Sequence, residues 1–164
     1  MSWLHPSVRL AQVCLLFGLD FEVVVGIDEL SLKFDSSVKA GFLKLADFDS
    51  LAEQWLLSLG EANRLAHLVS SLSSFYKVSS GQEAVRDQLI ALELVIGEQV
   101  AKLAPNLVRW AVCRERNRTD SNLIWVDSEL RRITLLSCHS WCFLLFKLDV
   151  SFNLLNNVLV DALR

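Results

Sequence analysis

Residues 141–164 read WCFLLFKLDVSFNLLNNVLVDALR, and how they are divided decides the fold. Taken in twos, Cys142, Leu144, Phe146, Leu148 and Val150 are all apolar, while the odd positions are apolar through Leu145 and then become Lys147 and Asp149. That alternation predicts a strand over 141–150, buried on both faces at its start and on one at its end. From residue 151 the period lengthens. Phe152, Leu155, Leu159 and Leu163 form a helical stripe with Leu154 and Val158 beside it, and Asn153, Asn156, Asn157 and Asp161 fall on the other side. Chain ends usually fray. So apolar an end is expected to be a docking device whose best-buried state includes a second chain.

Upstream of this stretch, Leu107–Val112 (LVRWAV) has the look of a Trp-containing strand. Arg114–Asn122 is a polar, charged connection, and Leu123–Val126 and Ile133–Ser137 are β-rich with the charged Asp127–Arg132 between them. Pro105 is expected to close the helix before it, which starts near Gln82 and carries Val85, Leu89, Leu92, Ile96, Val100 and Leu103 on one stripe. Ser79-Ser80-Gly81 is the clearest linker. Before it, 61–76 reads as a helix, with Leu65, Leu68, Val69, Leu72 and Phe75 in register. Leu51, Trp55, Leu56 and Leu59 stripe another that Gly60 should end. Val38, Phe42 and Leu45 share a helical face. Leu30, Leu32 and Phe34 alternate as in an extended strand, and 7–19 reads as a helix. The expected class is α+β: an N-terminal extension over 1–35, a helical domain over 36–104, and a small antiparallel sheet with a C-terminal helix over 106–164. No internal repeat or low-complexity segment is present.

The chain has 164 residues, 52% apolar and 21% charged, enough to bury a core and too apolar for disorder. The net charge of −3 divides unevenly: residues 106–164 carry eight Lys/Arg against six Asp/Glu, and residues 1–105 carry eight against thirteen. Neither part is basic enough to suggest nucleic acid. Four sparse cysteines do not make a disulfide scaffold and point to a reducing, intracellular setting. Leu10–Leu19 follows Arg9 as in a weak signal sequence, but no small-residue cleavage site follows, so a buried helix is expected. Ile133–Phe146 is free of charge apart from His139. Its 14 residues fall short of a spanning helix, so a core strand pair rather than a transmembrane segment is expected.

No catalytic motif emerges. Cys138-His139-x-x-Cys142 offers three ligands where structural zinc needs four, and strand alternation would send His139 away from the cysteines, so no metal is expected. His67 lies among helical core positions, and the six glycines form neither a P-loop nor a dinucleotide fingerprint. Arg114-Glu115-Arg116-Asn117-Arg118 is the one basic cluster, interrupted by Glu115; a solvated loop is its default reading, and phosphate or lipid contact the other. No cofactor is expected and the chain is not expected to be an enzyme.

The order of elements resembles the COMM-domain family, which joins a variable helical domain to a C-terminal COMM domain. Leu107–Val112, with Trp110, is similar to the family's Trp-containing first strand. Phe146-Lys147-Leu148-Asp149, followed by Phe152, Leu155, Leu159 and Leu163, resembles its closing strand and helix. Ser37–Asp47 is similar to a helical opening in one branch. The acidic-apolar pair usual before the Trp is Val108-Arg109 here, the middle of the domain is short and lacks the expected Pro, and 1–34 has no counterpart. The resemblance implies a cytoplasmic, non-enzymatic adaptor, associated with endosomes or the nucleus. It would form homo- or heterodimers with other COMM-domain proteins and join coiled-coil scaffold proteins. Roles in endosomal cargo recycling and in control of NF-κB and cullin-RING ligases are implied with it. Trp110, Phe146, Leu148, Phe152, Leu155, Leu159 and Leu163 are the interaction residues it implies. The competing reading is a self-contained α+β protein that binds a small apolar or anionic ligand, with Arg114–Arg118 at its mouth.

Overall fold

The structure is a computed structural model that describes residues 8–26, 32, 34–36, 39–77 and 81–162. In chain order its elements are α1 (Val8–Phe17), α2 (Phe21–Val25), β1 (Phe42–Lys44), α3 (Leu45–Lys77), α4 (Glu83–Arg116), β2 (Leu123–Trp125), α5 (Ser128–Val150) and α6 (Phe152–Ala162). It is mostly helical with a small two-stranded antiparallel sheet, which fits the α+β class.

Two long helices make the frame. In α3 the buried positions Leu51, Trp55, Ser58, Ala62, Leu65 and Val69 recur in steps of four and three. In α4 the same rhythm runs from Leu89 through Leu92, Ile96, Gln99, Leu103, Asn106 and Trp110 to Cys113. Alternating three- and four-residue steps keep one seam facing one neighbour, so these helices lie along each other as in a coiled coil. They run antiparallel: Trp55, early in α3, meets Trp110, late in α4, with ring centroids 5.5 Å apart. Helix α5 returns along the second half of α4. There Asn106 Nδ2 donates to Ser137 Oγ at 2.8 Å and Trp110 Nε1 donates to Thr134 Oγ1 at 3.2 Å, both buried. These bonds satisfy polar groups that would otherwise be costly inside, and they fix the register of α5 on α4.

Trp141 of α5 completes the centre. Its ring stands edge-on to Trp55, 6.4 Å between centroids, and its Nε1 donates to the Val24 carbonyl of α2 at 2.8 Å. The far side of α5 is covered by α1, whose Leu10, Val13, Cys14 and Phe17 are buried, and by α6, whose Leu155 and Val158 are buried. Arg9 pairs with Asp149 at 3.2 Å across this contact. Helix α6 is also fastened to the end of α3, where Tyr76 Oη donates to Asp161 at 3.2 Å. One apolar core runs through all eight elements.

The sheet joins the start of α3 to the α4–α5 connection. Its register pairs Phe42 with Trp125, Leu43 with Ile124 and Lys44 with Leu123. Leu43 and Ile124 face the core, while Phe42 and Trp125 meet edge-to-face on the outside, 4.9 Å apart. Gly41 has φ +83°, a left-handed value that side chains avoid, and an added Cβ would also meet the Trp125 ring at 3.8 Å.

Several sequence expectations are corrected here. The predicted strands over 107–112, 133–137 and 141–150 are helix, in α4 and α5. In α5 the buried residues are Leu130, Ile133, Thr134, Ser137, Cys138, Trp141, Leu144, Leu145 and Leu148, a helical spacing. The run is so uniformly apolar that a period of two could be drawn through it as well. Pro105 does not end α4. It sits on the exposed outer side, while Leu103, Asn106 and Trp110 hold the helix in place before and after it. The boundary drawn beside Pro105 therefore falls inside a continuous helix. Gly60 does not end its helix either, since α3 runs through it. Phe42 belongs to a strand, because Gly41 breaks any helix reaching it. Leu32 and Phe34 are helical rather than extended; Leu30 and Val38 lie outside the described residues. The helix expected over 7–19, the β-rich 123–126 and the terminal helix after residue 151 have counterparts in α1, β2 and α6.

Candidate functional site

The side chains with chemistry in them are dispersed. The four cysteines are free thiols, with Cys14, Cys113 and Cys138 buried. Burial, reinforced by Glu61 and Asp20, pushes the Cys14 thiol up to about 11. Burial and Glu129 push Cys113 up as well. A raised thiol holds its proton and is a poor nucleophile or metal ligand. On a helix, Cys138 and Cys142 are one turn apart and His139 is exposed, which differs from the strand geometry expected. Among the described residues no three His, Cys, Asp or Glu side chains gather as a metal set. His67 is exposed on α3. The arginines of 114–118 are engaged with nearby carboxylates: Arg114 with Asp49 at 3.4 Å, Arg116 with Glu129 at 2.6 Å, Arg118 with Glu115 at 3.8 Å. The hydrogen bond to Glu129 and the charge of that carboxylate raise Arg116 further, and the pair links α4 to α5 at the surface.

The residues singled out for partner contact separate into two groups. Trp110, Leu148 and Leu155 are buried in the chain's own core, and Phe152 and Leu159 pack half-buried against it. Leu163 lies outside the described residues. Phe146 is exposed, at 58%.

Phe146 has company. Leu136 is 46% exposed, Phe143 42% and Val150 54%, and all lie on α5 with the exposed His139 among them. Positions 136, 139, 143, 146 and 150 step by three, four, three and four, the spacing of a coiled-coil seam. Beside this seam, α4 and α5 enclose an open groove of about 820 Å³. One wall is α4, with Ala101, Lys102, Pro105 and Arg109; the other is α5, with Leu136, His139, Phe143 and Lys147. The groove continues at both ends. Toward α6 it shares Val95 and Lys147 with a depression that reaches Val150 and Leu154. Toward the start of α5 it shares Leu136 and His139 with one that reaches Arg131 and Arg132.

The buried Asn106–Ser137 and Trp110–Thr134 bonds hold α5 to α4 beside the groove. On the outer side, the exposed wall of α4 turns to small or stiff residues, Ala101 and Pro105, which leave room. The helix α5 is also long and apolar enough to cross a membrane by length and composition, with 44% of its most apolar window buried in the protein. Comparison with family models, curated proteins and solved structures finds no match to this chain.

Sequence reasoning missed the seam because it read 141–150 as a strand, which placed Phe143 and Phe146 on opposite faces. The overlooked signal is Asp127, whose side chain accepts from Leu130 N at 2.8 Å as an N-cap, with Glu129 in the first turn of α5.

Proposed function

We propose that this chain is a non-enzymatic assembly subunit that receives a helix of another protein in the α4–α5 groove. The observation that carries the reading is the exposed three-four seam Leu136–His139–Phe143–Phe146–Val150 lying along a groove between two helices. Large apolar side chains scattered singly on a surface need no explanation, but a contiguous row marks an interaction surface. A helix laid in a groove is a common way to cover one.

The COMM-family reading is a narrower form of the same proposal. It adds dimerisation with other COMM-domain proteins, coiled-coil scaffold partners, a cytoplasmic or endosomal setting, and service in cargo recycling, NF-κB control and cullin-RING regulation. Its strand motifs at 107–112 and 146–149 are helical here, so a coiled-coil partner accords better with this surface than strand exchange. The small-ligand alternative draws no support from Arg114–Arg118, whose arginines are engaged by Asp49, Glu115, Asp127 and Glu129.

The test is co-purification followed by reconstitution. Proteins retained by the tagged wild-type chain are compared with those retained by Phe143→Asp and by a control on another surface, Ser71→Asp. A partner lost only with Phe143→Asp is then mixed as purified protein, and the molar mass of the complex is measured by light scattering. COMM-domain proteins are included as candidates. A complex of defined mass, absent with Phe143→Asp, supports the reading. Reconstituted complexes that are indifferent to Phe143→Asp, or none at micromolar concentration, overturn it.

A further inference from the structure

We propose that the segment taken by the groove is an acidic amphipathic helix: apolar residues in a three-four repeat, flanked by Asp and Glu. This rests on the docking reading above and adds the chemistry of the partner. The seam sets the repeat. Leu136, Phe143 and Val150 recur every seven residues with His139 and Phe146 between them, so a helix keeps contact along the row only if its own apolar residues recur in the same steps. From 136 to 150 the row is roughly 21 Å long at the rise of an α-helix, so the partner helix needs about four turns.

The rim sets the charge. Arg131 and Arg132 stand exposed at one end of the groove, Lys102 and Arg109 on the α4 wall, and Lys147 on the α5 wall. The carboxylates within reach are already engaged. Glu98 pairs with Lys102 at 3.5 Å, Asp127 pairs with Arg116 at 3.4 Å, and Glu129 is held by Arg116 at 2.6 Å with Arg109 at 3.9 Å. Arg131 and Arg132 make no ion pair among the described residues, and Lys147 lies 5.5 Å from the Phe143 ring centroid. With Lys102 and Arg109 matched by these carboxylates, the positive surplus is Arg131, Arg132 and Lys147, on a chain whose net charge is −3. A second copy of the chain is the poorer occupant, because two such grooves brought together oppose like rims. A bilayer is the poorer occupant as well: it is flat, and a flat surface does not fill a groove of about 820 Å³ between two helices.

Two synthetic helical peptides of roughly 20 residues test this, each with leucines in the three-four repeat. One carries glutamate on its flanks and the other lysine. Binding to the full chain is read by fluorescence anisotropy at low and high salt, beside vesicles of phosphatidylcholine with and without phosphatidylserine. The glutamate peptide should bind at least about tenfold tighter than the lysine peptide, and the preference should shrink with salt. Arg131→Glu combined with Arg132→Glu should reverse the preference, and Phe143→Asp should abolish binding of both. Phe146→Ser, with circular dichroism of every variant, guards against a variant that fails to fold. Equal binding of both peptides, lost with Phe143→Asp, overturns the acidic partner and leaves the docking reading standing. Binding of neither peptide, or of phosphatidylserine vesicles only, overturns the acidic-helix inference. The docking reading falls with it only if reconstitution is also indifferent to Phe143→Asp.

Discussion

The two flanks of α5 are made of similar residues and meet different fates. On one, Trp141, Leu145 and Leu148 are sealed beneath α1, α2 and α6, with Arg9–Asp149 and the Trp141–Val24 bond stitching the seam shut. On the other, Leu136, Phe143, Phe146 and Val150 lie open beside the groove. Hydrophobicity alone does not tell the flanks apart. What differs is whether a further element among the described residues lies over each. The closed flank belongs to the fold, and the open flank is the surface assigned here to a partner. Removing apolar surface on the closed flank should cost stability. Removing it on the open flank should cost association.

A charge placed on each flank gives the sharpest contrast. Leu155 is 0% exposed, so Leu155→Asp buries an unpaired carboxylate; a loss of about 4 kcal/mol or more is expected in urea unfolding. Phe146→Asp on the open flank should change stability by only about 0.5 kcal/mol. Similar losses for both would erase the distinction. A smaller effect tests the stitching. Trp141→Phe keeps most of the ring but removes the donor to the Val24 carbonyl, and should cost about 1–3 kcal/mol.

Alkali should also act on the closed flank. The Cys14 thiol of α1 stands at about 11, above its ordinary 9.0. Because the folded chain holds this proton more tightly than the unfolded one, the associated stability is complete below pH 9 and is lost as pH rises toward 11. Unfolding measured from pH 8 to pH 11 should show that decline, and Cys14→Val should make it shallower, with the raised Cys113 thiol and Tyr76 hydroxyl left to contribute the rest. Equal slopes would mean that the thiol is not sealed. The mildest change is Gly97→Ala on the exposed side of α4. An added Cβ there meets nothing within 4 Å, so the helix should gain about 0.5–1 kcal/mol in the isolated chain.

The sequence was legible where pattern and punctuation agreed. The stripe Leu89, Leu92, Ile96, Leu103 could be found from residue types alone, and so could the turn to an apolar helix after residue 151. It was illegible where a polar residue sat on the seam. Gln99 and Asn106 are buried in α4, and without them the stripe reads as ending near Pro105 when it runs on to Trp110 and Cys113. The partner of Asn106 is Ser137, thirty-one residues away, and no local pattern announces it. The groove was hidden for the same reason. Only after α5 is known to be a helix do Leu136, Phe143 and Val150 fall into line. The positive rim was hidden too: Arg131-Arg132 lies in a stretch read only as charged, and nothing local shows that Glu129 beside it is taken by Arg116.

Pro105 has a consequence for motion. Proline has no amide hydrogen, so the Ala101 carbonyl loses its backbone donor at the middle of α4, on the wall of the groove. Both halves lie along α3, the second through Trp55 and Trp110, but their other neighbours differ: α6 beside the first, around Tyr76, Leu89 and Val158, and α5 against the second through Ser137 and Thr134. In native-state hydrogen exchange the two halves should open as separate cooperative units, with Pro105 as the place where an opening that starts at either end comes to rest.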